Sequence, residues 1–209
     1  MQMRAIMARA PVIPVLTIER ESDAVPLARA LCAGGLTVLE VTLRTPAALA
    51  AISAVRKAVP DAIVGAGTLT VPEDFPRVVG AGAQFAVTPG LTEELAVAGR
   101  HSGIPLLPGI ATASELIAAR AASYTALKFF PAEPAGGTAM LASFAPVFAD
   151  VVFCPTGGIT RESAPRYLQL KNVACVGGSW VTPAAALQSG DWKKIEALAR
   201  DAASLARAS

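Results

Sequence analysis

The sequence predicts an α/β fold, a (β/α)8 TIM barrel formed by a single domain over residues 1–209. Three observations carry that expectation. Short apolar runs alternate strictly with helical segments. The alternation repeats eight times, at a period of roughly 20 to 25 residues. No linker, charge run or low-complexity stretch divides the chain. Strict alternation calls for a parallel sheet, and eight units are enough to close a barrel, near the short end of that fold's size range. A doubly wound open sheet is the alternative arrangement of the same units. A leucine-rich solenoid has a similar period, but its L-x-x-L-x-L motif is absent.

The expected strands are "VIPVLTI" (12–18), "VLEVTL" (38–43), "AIVGAGTL" (62–69), "QFAVTP" (84–89), "IPLLPGI" (104–110), "ALKFFPA" (126–132), "VVFCPTGGI" (151–159) and "VACVGGSW" (173–180). Between them, segments such as "TPAALAAISAVRKAVP", "TEELAVAGR" and "TASELIAARAA" space their apolar residues helically. Thr45, Thr92 and Thr112 are the expected polar helix starts. Pro76 falls inside the helix expected after the third strand and should shorten or kink it.

Bulk properties exclude several classes of function. A chain that is 53% hydrophobic and 16% charged is globular rather than disordered. A net charge of +2 and few aromatic residues give no reason to expect nucleic acid or an anionic membrane as partner. Cys32, Cys154 and Cys175 lie far apart and read as small core residues in a reducing compartment. His101 is the single histidine, read as a solvated loop residue, and it leaves too few imidazoles for most metal sites. The apolar N-terminal stretch is interrupted by Arg9, Pro11 and Pro14. No signal peptide or transmembrane run is visible, so a cytoplasmic location is expected.

Polar residues inside strands point to chemistry, because such barrels keep their sites at the C-terminal strand ends. Lys128 interrupts the apolar run "ALKFF", and a buried ammonium is costly unless it is paired or gives up its proton. Snorkelling or a structural ion pair is the bland alternative. In "LEVTLRT", Glu40, Thr42 and Arg44 alternate with Leu39, Val41 and Leu43, so the polar side chains share one face. If the apolar partners pack on helices, Glu40 and Arg44 point into the barrel; the alternative is an ion pair on an exposed strand. Thr68 near the end of "GAGTL" is a weak signal alone. The glycine pairs of "PTGGI" and "GGSW" follow the last two strands, where open backbone N–H groups suit an anion, with Ser179 as an added donor. A single histidine speaks against a Ser-His-Asp arrangement, and amine catalysis by Lys128 remains.

Together "LEVTLRT", "IVGAGT", "FPAE", "CPTGG" and "GGSW", in this order, resemble the 2-keto-3-deoxy-6-phosphogluconate (KDPG) aldolase / 4-hydroxy-2-oxoglutarate aldolase family from about residue 11 to the C-terminus. The resemblance implies a homotrimeric barrel, needing no metal or other cofactor, that works in the Entner–Doudoroff route. It implies cleavage of the phosphorylated keto acid to pyruvate and glyceraldehyde 3-phosphate, and in many members cleavage of 4-hydroxy-2-oxoglutarate. By motif, Lys128 would form the Schiff base and Glu40 would be the general acid/base. Arg44 and Thr68 would hold the pyruvyl carboxylate, with Thr156 nearby. Gly157, Gly158, Gly178 and Ser179 would hold the phosphate, and Pro89 would line the pocket. Two rivals share only parts of this pattern: a phosphosugar isomerase or epimerase on the same barrel, and a non-catalytic phosphosugar-binding protein. The segment before the first strand is short, where family members often cap the barrel bottom with a helix.

Overall fold

The structure, a computed structural model, describes residues 2–207. A short helix, α1 (Met3–Met7), precedes β1 (Val12–Leu16) and α2 (Glu21–Ala33). Next come β2 (Val38–Thr42), α3 (Ala48–Ala58), β3 (Ile63–Gly67), α4 (Asp74–Gly80), β4 (Ala86–Val87) and α5 (Glu93–His101). The fifth run is split at Pro108 into β5 (Leu106–Leu107) and β6 (Gly109–Ile110), followed by α6 (Ala113–Ala121). Then come β7 (Ala126–Phe129), α7 (Gly137–Phe144), β8 (Val152–Pro155), α8 (Ala164–Leu168) and β9 (Val176–Gly178). Two helices end the chain, α9 (Ala184–Ser189) and α10 (Trp192–Ala203).

The strand pairing is parallel and runs in chain order. One sheet has the order β5-β4-β3-β2-β1-β9, and the other β6-β7-β8. The last strand therefore lies beside the first, with Ile13 opposite Gly177, which separates this arrangement from a doubly wound sheet. The hydrogen-bonded ladder is two sheets rather than one ring of eight strands. Pro108 has no N–H to continue the ladder through the fifth run, and β8 meets β9 through an isolated bridge between Thr156 and Gly177.

Period-two alternation sorts the strand side chains into two layers. Leu39, Val41, Leu127 and Phe129 join the larger core with helix residues such as Leu27 and Ile52. Ile13, Val38, Ile63 and Leu107 join a smaller cluster with Met3, Ile6 and Met7 of α1. The short N-terminal segment thus does form a helix, and its apolar side chains pack against the first inward residues of the strands. Arg4 fastens it by donating to the Thr125 carbonyl at 3.1 Å and to the Asp150 carbonyl.

The helix starts follow the sequence at two of three threonines. Thr92 accepts from Leu95 N–H, and Thr112 forms a capping box with Glu115. Thr45 does not cap α3; its hydroxyl donates to the Ile18 carbonyl at 2.5 Å, and the cap position passes to Ala47. Pro76 lies in the first turn of the seven-residue α4, where a missing N–H breaks no intrahelical bond, so the helix is short but not kinked there. His101 is exposed as expected, but it closes α5 rather than sitting in a loop, with Nδ1 2.9 Å from the Val97 carbonyl.

Met7 has no exposed surface. Met7→Ala should lower stability by roughly 2–5 kcal/mol through the cavity it leaves beneath the strands. Urea unfolding measures this, and an unchanged midpoint would mean that α1 is not part of the core.

Candidate functional site

Lys128 stands on β7 between Leu127 and Phe129, whose side chains are taken up by the outer core. Alternation turns Lys128 the other way, toward β2. Its Nζ donates to Glu40 Oε1 at 3.1 Å, and the two side chains are 7% and 4% exposed. Either charge buried alone would cost several kcal/mol, so each is tolerated because the other is there. The Phe130 ring lies 5.3 Å from Nζ, near enough for a cation–π attraction.

One glycine leaves room for this pair, and a second lets the neighbouring strand pass close to Pro89. A Cβ on Gly67 would stand 2.2 Å from Glu40 Oε1, and one on Gly109 would stand 2.2 Å from the Pro89 carbonyl. Gly109 is also the register partner of Lys128. Thr68 follows Gly67 with φ +67, a left-handed conformation that β-branched residues rarely adopt. Such backbone strain tends to collect at functional sites. Thr42 is fully buried and donates to the Leu16 carbonyl at 2.8 Å, tying β2 to β1.

A cleft of about 360 Å³ is lined by Arg44, Thr156, Gly157, Gly158, Gly178 and Ser179, while Lys128 and Glu40 lie outside its lining. Phe130 joins it to Lys128. The structure thus brings six of the expected binding residues around one opening. Thr68 and Pro89 lie outside this lining, Thr68 next to Gly67 and Pro89 against Gly109.

The two glycine pairs do different things. Gly157 and Gly158 have φ of +105 and +79, which only glycine adopts without penalty. Gly177 and Gly178 instead give clearance: added Cβ atoms would meet Thr156 Oγ1 at 2.2 Å and the Trp180 ring at 1.9 Å. Thr17, which sequence reasoning passed over, also lines the cleft, and its hydroxyl lies 3.4 Å from that of Thr42. The alternation rule applied to "VLTIER" could have found it.

Cys154 and Cys175 sit in the smaller core cluster. The Cys175 thiol is held well above its ordinary value by its hydrogen bond to Cys154 and by burial, so it is an inert packing group there. Among the described residues, no three His, Cys, Asp or Glu side chains are grouped as metal ligands would be. No helix among them is long and apolar enough to cross a membrane.

Residues 3–198 match the KDPG and KHG aldolase family. The chain belongs to that family. It is 52% identical to the 2-dehydro-3-deoxy-phosphogluconate aldolase of Dickeya dadantii, over 94% of this chain and 92% of that protein. It is 51% identical to the KHG/KDPG aldolase of Escherichia coli K12, over 95% and 93%. Among solved structures, the KDPG aldolase of Legionella pneumophila, with pyruvate captured as a covalent carbinolamine intermediate, superposes with a TM-score of 0.94. The two are 50% identical over 96% of this chain and 98% of that one. The Zymomonas mobilis aldolase with 3-phosphoglycerate gives 0.93 at 50% identity, covering 98% and 96%.

The clearance at Gly67 yields a test in this family member. Gly67→Ala should push the Glu40 carboxylate off Lys128 and lower aldol turnover by roughly a hundredfold or more, the scale of lost acid–base help. Circular dichroism should be unchanged. Near-normal turnover would mean that the contact is dispensable.

Proposed function

We propose that this protein is a class I (Schiff-base) aldolase. It cleaves 2-dehydro-3-deoxy-6-phosphogluconate to pyruvate and glyceraldehyde 3-phosphate, as a step of the Entner–Doudoroff pathway. The observation that carries this reading is the buried contact between Lys128 Nζ and Glu40 Oε1 beside an open cleft. The Legionella relative supports it, because a carbinolamine is the first adduct of an amine with the pyruvate ketone.

The pair divides the chemistry. With the shared proton on Glu40, Lys128 is a neutral amine that adds to the C2 ketone of the substrate. The carbinolamine hydroxyl takes the proton of Glu40 and leaves as water, giving an iminium that accepts the electrons of the breaking C3–C4 bond. Glu40, now a carboxylate, takes the C4 hydroxyl proton as glyceraldehyde 3-phosphate leaves. The enamine that remains is protonated at C3 from Glu40, and water hydrolyses the iminium to free pyruvate and Lys128. Arg44 and Thr156 are proposed to hold the carboxylate end, with Thr68 and Pro89 bordering it. Gly157, Gly158, Gly178 and Ser179 are proposed to hold the phosphate end, with the left-handed Gly157–Gly158 turn offering N–H groups to an anion.

We further infer a single (β/α)8 barrel domain. Its support is β9 beside β1, the Thr156–Gly177 bridge, and β5 and β6 meeting across Pro108. A cytoplasmic homotrimer is part of the same proposal; three free cysteines agree with a reducing compartment. Cleavage of 4-hydroxy-2-oxoglutarate is the second reading, favoured by the double name of the Escherichia coli relative. A phosphosugar isomerase or epimerase would use the cleft but leave the Lys128–Glu40 pair without a task.

Borohydride added in the presence of pyruvate should fix a pyruvyl adduct on Lys128, located by peptide mass mapping. No adduct, or an adduct on Lys171, would overturn the mechanism and put the isomerase reading in front.

A further inference from the structure

The "FPAE" stretch ends in Glu133, a glutamate that the chemistry above does not use. Its backbone N–H donates to the Gly157 carbonyl at 3.0 Å, beside Ala132 N–H on the Thr156 carbonyl at 2.8 Å. Those bonds hold the start of the loop that runs from β8 to α8. The far end of that loop enters α8, where Tyr167 is fully buried and donates its hydroxyl to Glu133 Oε1 at 2.9 Å. One residue therefore grips both ends of the glycine loop, its backbone at the entry and its carboxylate at the exit.

The packing around this bracket is tight. A Cβ on Gly158 would come within 2.8 Å of Glu133 Cβ, and one on Gly137 would stand 3.2 Å from the Tyr167 hydroxyl. Gly137 opens α7, where a carboxylate such as Glu133 is also favoured by the helix dipole. The Tyr167 phenol is pushed above its ordinary value by burial and by its bond to Glu133, so it stays a donor at neutral pH. Glycines are the most mobile residues in an unfixed loop. Their N–H groups serve an anion best when the loop is ordered before the anion arrives.

We propose that Glu133 and Tyr167 are positioning residues that hold the Gly157–Gly158 turn in shape for the phosphate end of the substrate. This rests on the reading of the cleft as a phosphate site. Neither side chain needs to touch the substrate. Losing the bracket leaves the Lys128–Glu40 pair intact and makes phosphate binding order the loop.

The test compares kinetics on the phosphorylated keto acid with kinetics on 4-hydroxy-2-oxoglutarate, which carries no phosphate. Tyr167→Phe keeps the ring and removes one hydrogen bond to a charged group. It should lower kcat/KM for the phosphorylated substrate about tenfold, mostly through KM. The rate on 4-hydroxy-2-oxoglutarate should stay within about twofold. Glu133→Gln retains an acceptor oxygen for the phenol and should behave nearly as the parent, while Glu133→Ala should follow Tyr167→Phe. If Tyr167→Phe leaves both substrates unchanged, or slows both alike, the positioning role is wrong. If the parent enzyme itself does not favour the phosphorylated substrate, the phosphate reading fails and takes this inference with it.

Discussion

The buried contact between Lys128 and Glu40 constrains much of what surrounds it. A lysine and a glutamate from strands 88 residues apart meet in a core where neither charge could stay alone. Satisfying that contact requires β2 and β7 to present opposite faces to a shared interior. It requires Leu39, Val41, Leu127 and Phe129 to turn outward onto helices. It also requires backbone without a side chain at Gly67, where a methyl group would collide with Glu40. The same alternation that hides apolar residues in the outer layer thus delivers the two ionisable ones to the inner layer.

The surroundings grade from apolar to polar along the strands. At one end the cluster of Ile13, Val38, Ile63 and Leu107 is covered by α1. One step further along β2 and β7 come Glu40 and Lys128. Beyond them lies the cleft with Thr156, which is buried, and with Arg44 and Ser179, whose side chains reach solvent. The amine at that boundary is held by one carboxylate, and Phe130 connects it to the cleft. A lysine fixed by one carboxylate close to a polar cleft suits Schiff-base chemistry.

Much of this was legible in the sequence because it depends on local rules. A lysine inside "ALKFF" and a glutamate inside "LEVTL" violate the apolar pattern of buried strands, and such violations mark sites. The parallel order of the strands followed from strict alternation. What was not legible depends on contacts between distant segments. The helical state of residues 3–7 depends on inward side chains of several strands. Thr45 abandons its cap for a carbonyl 27 residues earlier. The glycines of "GGSW" resemble those of "PTGG" in print, yet they are there for the Thr156 hydroxyl and the Trp180 ring rather than for a turn. The break in the ladder at Pro108 and the thin join between β8 and β9 are likewise matters of pairing geometry, which an apolar run does not record.

The central claim is that Lys128 supplies the imine and Glu40 moves the protons. Exchange of the pyruvate methyl protons with D2O, followed by NMR, tests it most directly, because exchange requires an imine and then a proton transfer at C3. Lys128→Ala should show no exchange above background. Glu40→Gln should still form an imine with pyruvate but exchange more slowly than the parent by roughly a hundredfold or more. Exchange at the parent rate in Glu40→Gln would contradict the account, since the carboxylate would then be a structural counter-ion and another group would carry the proton.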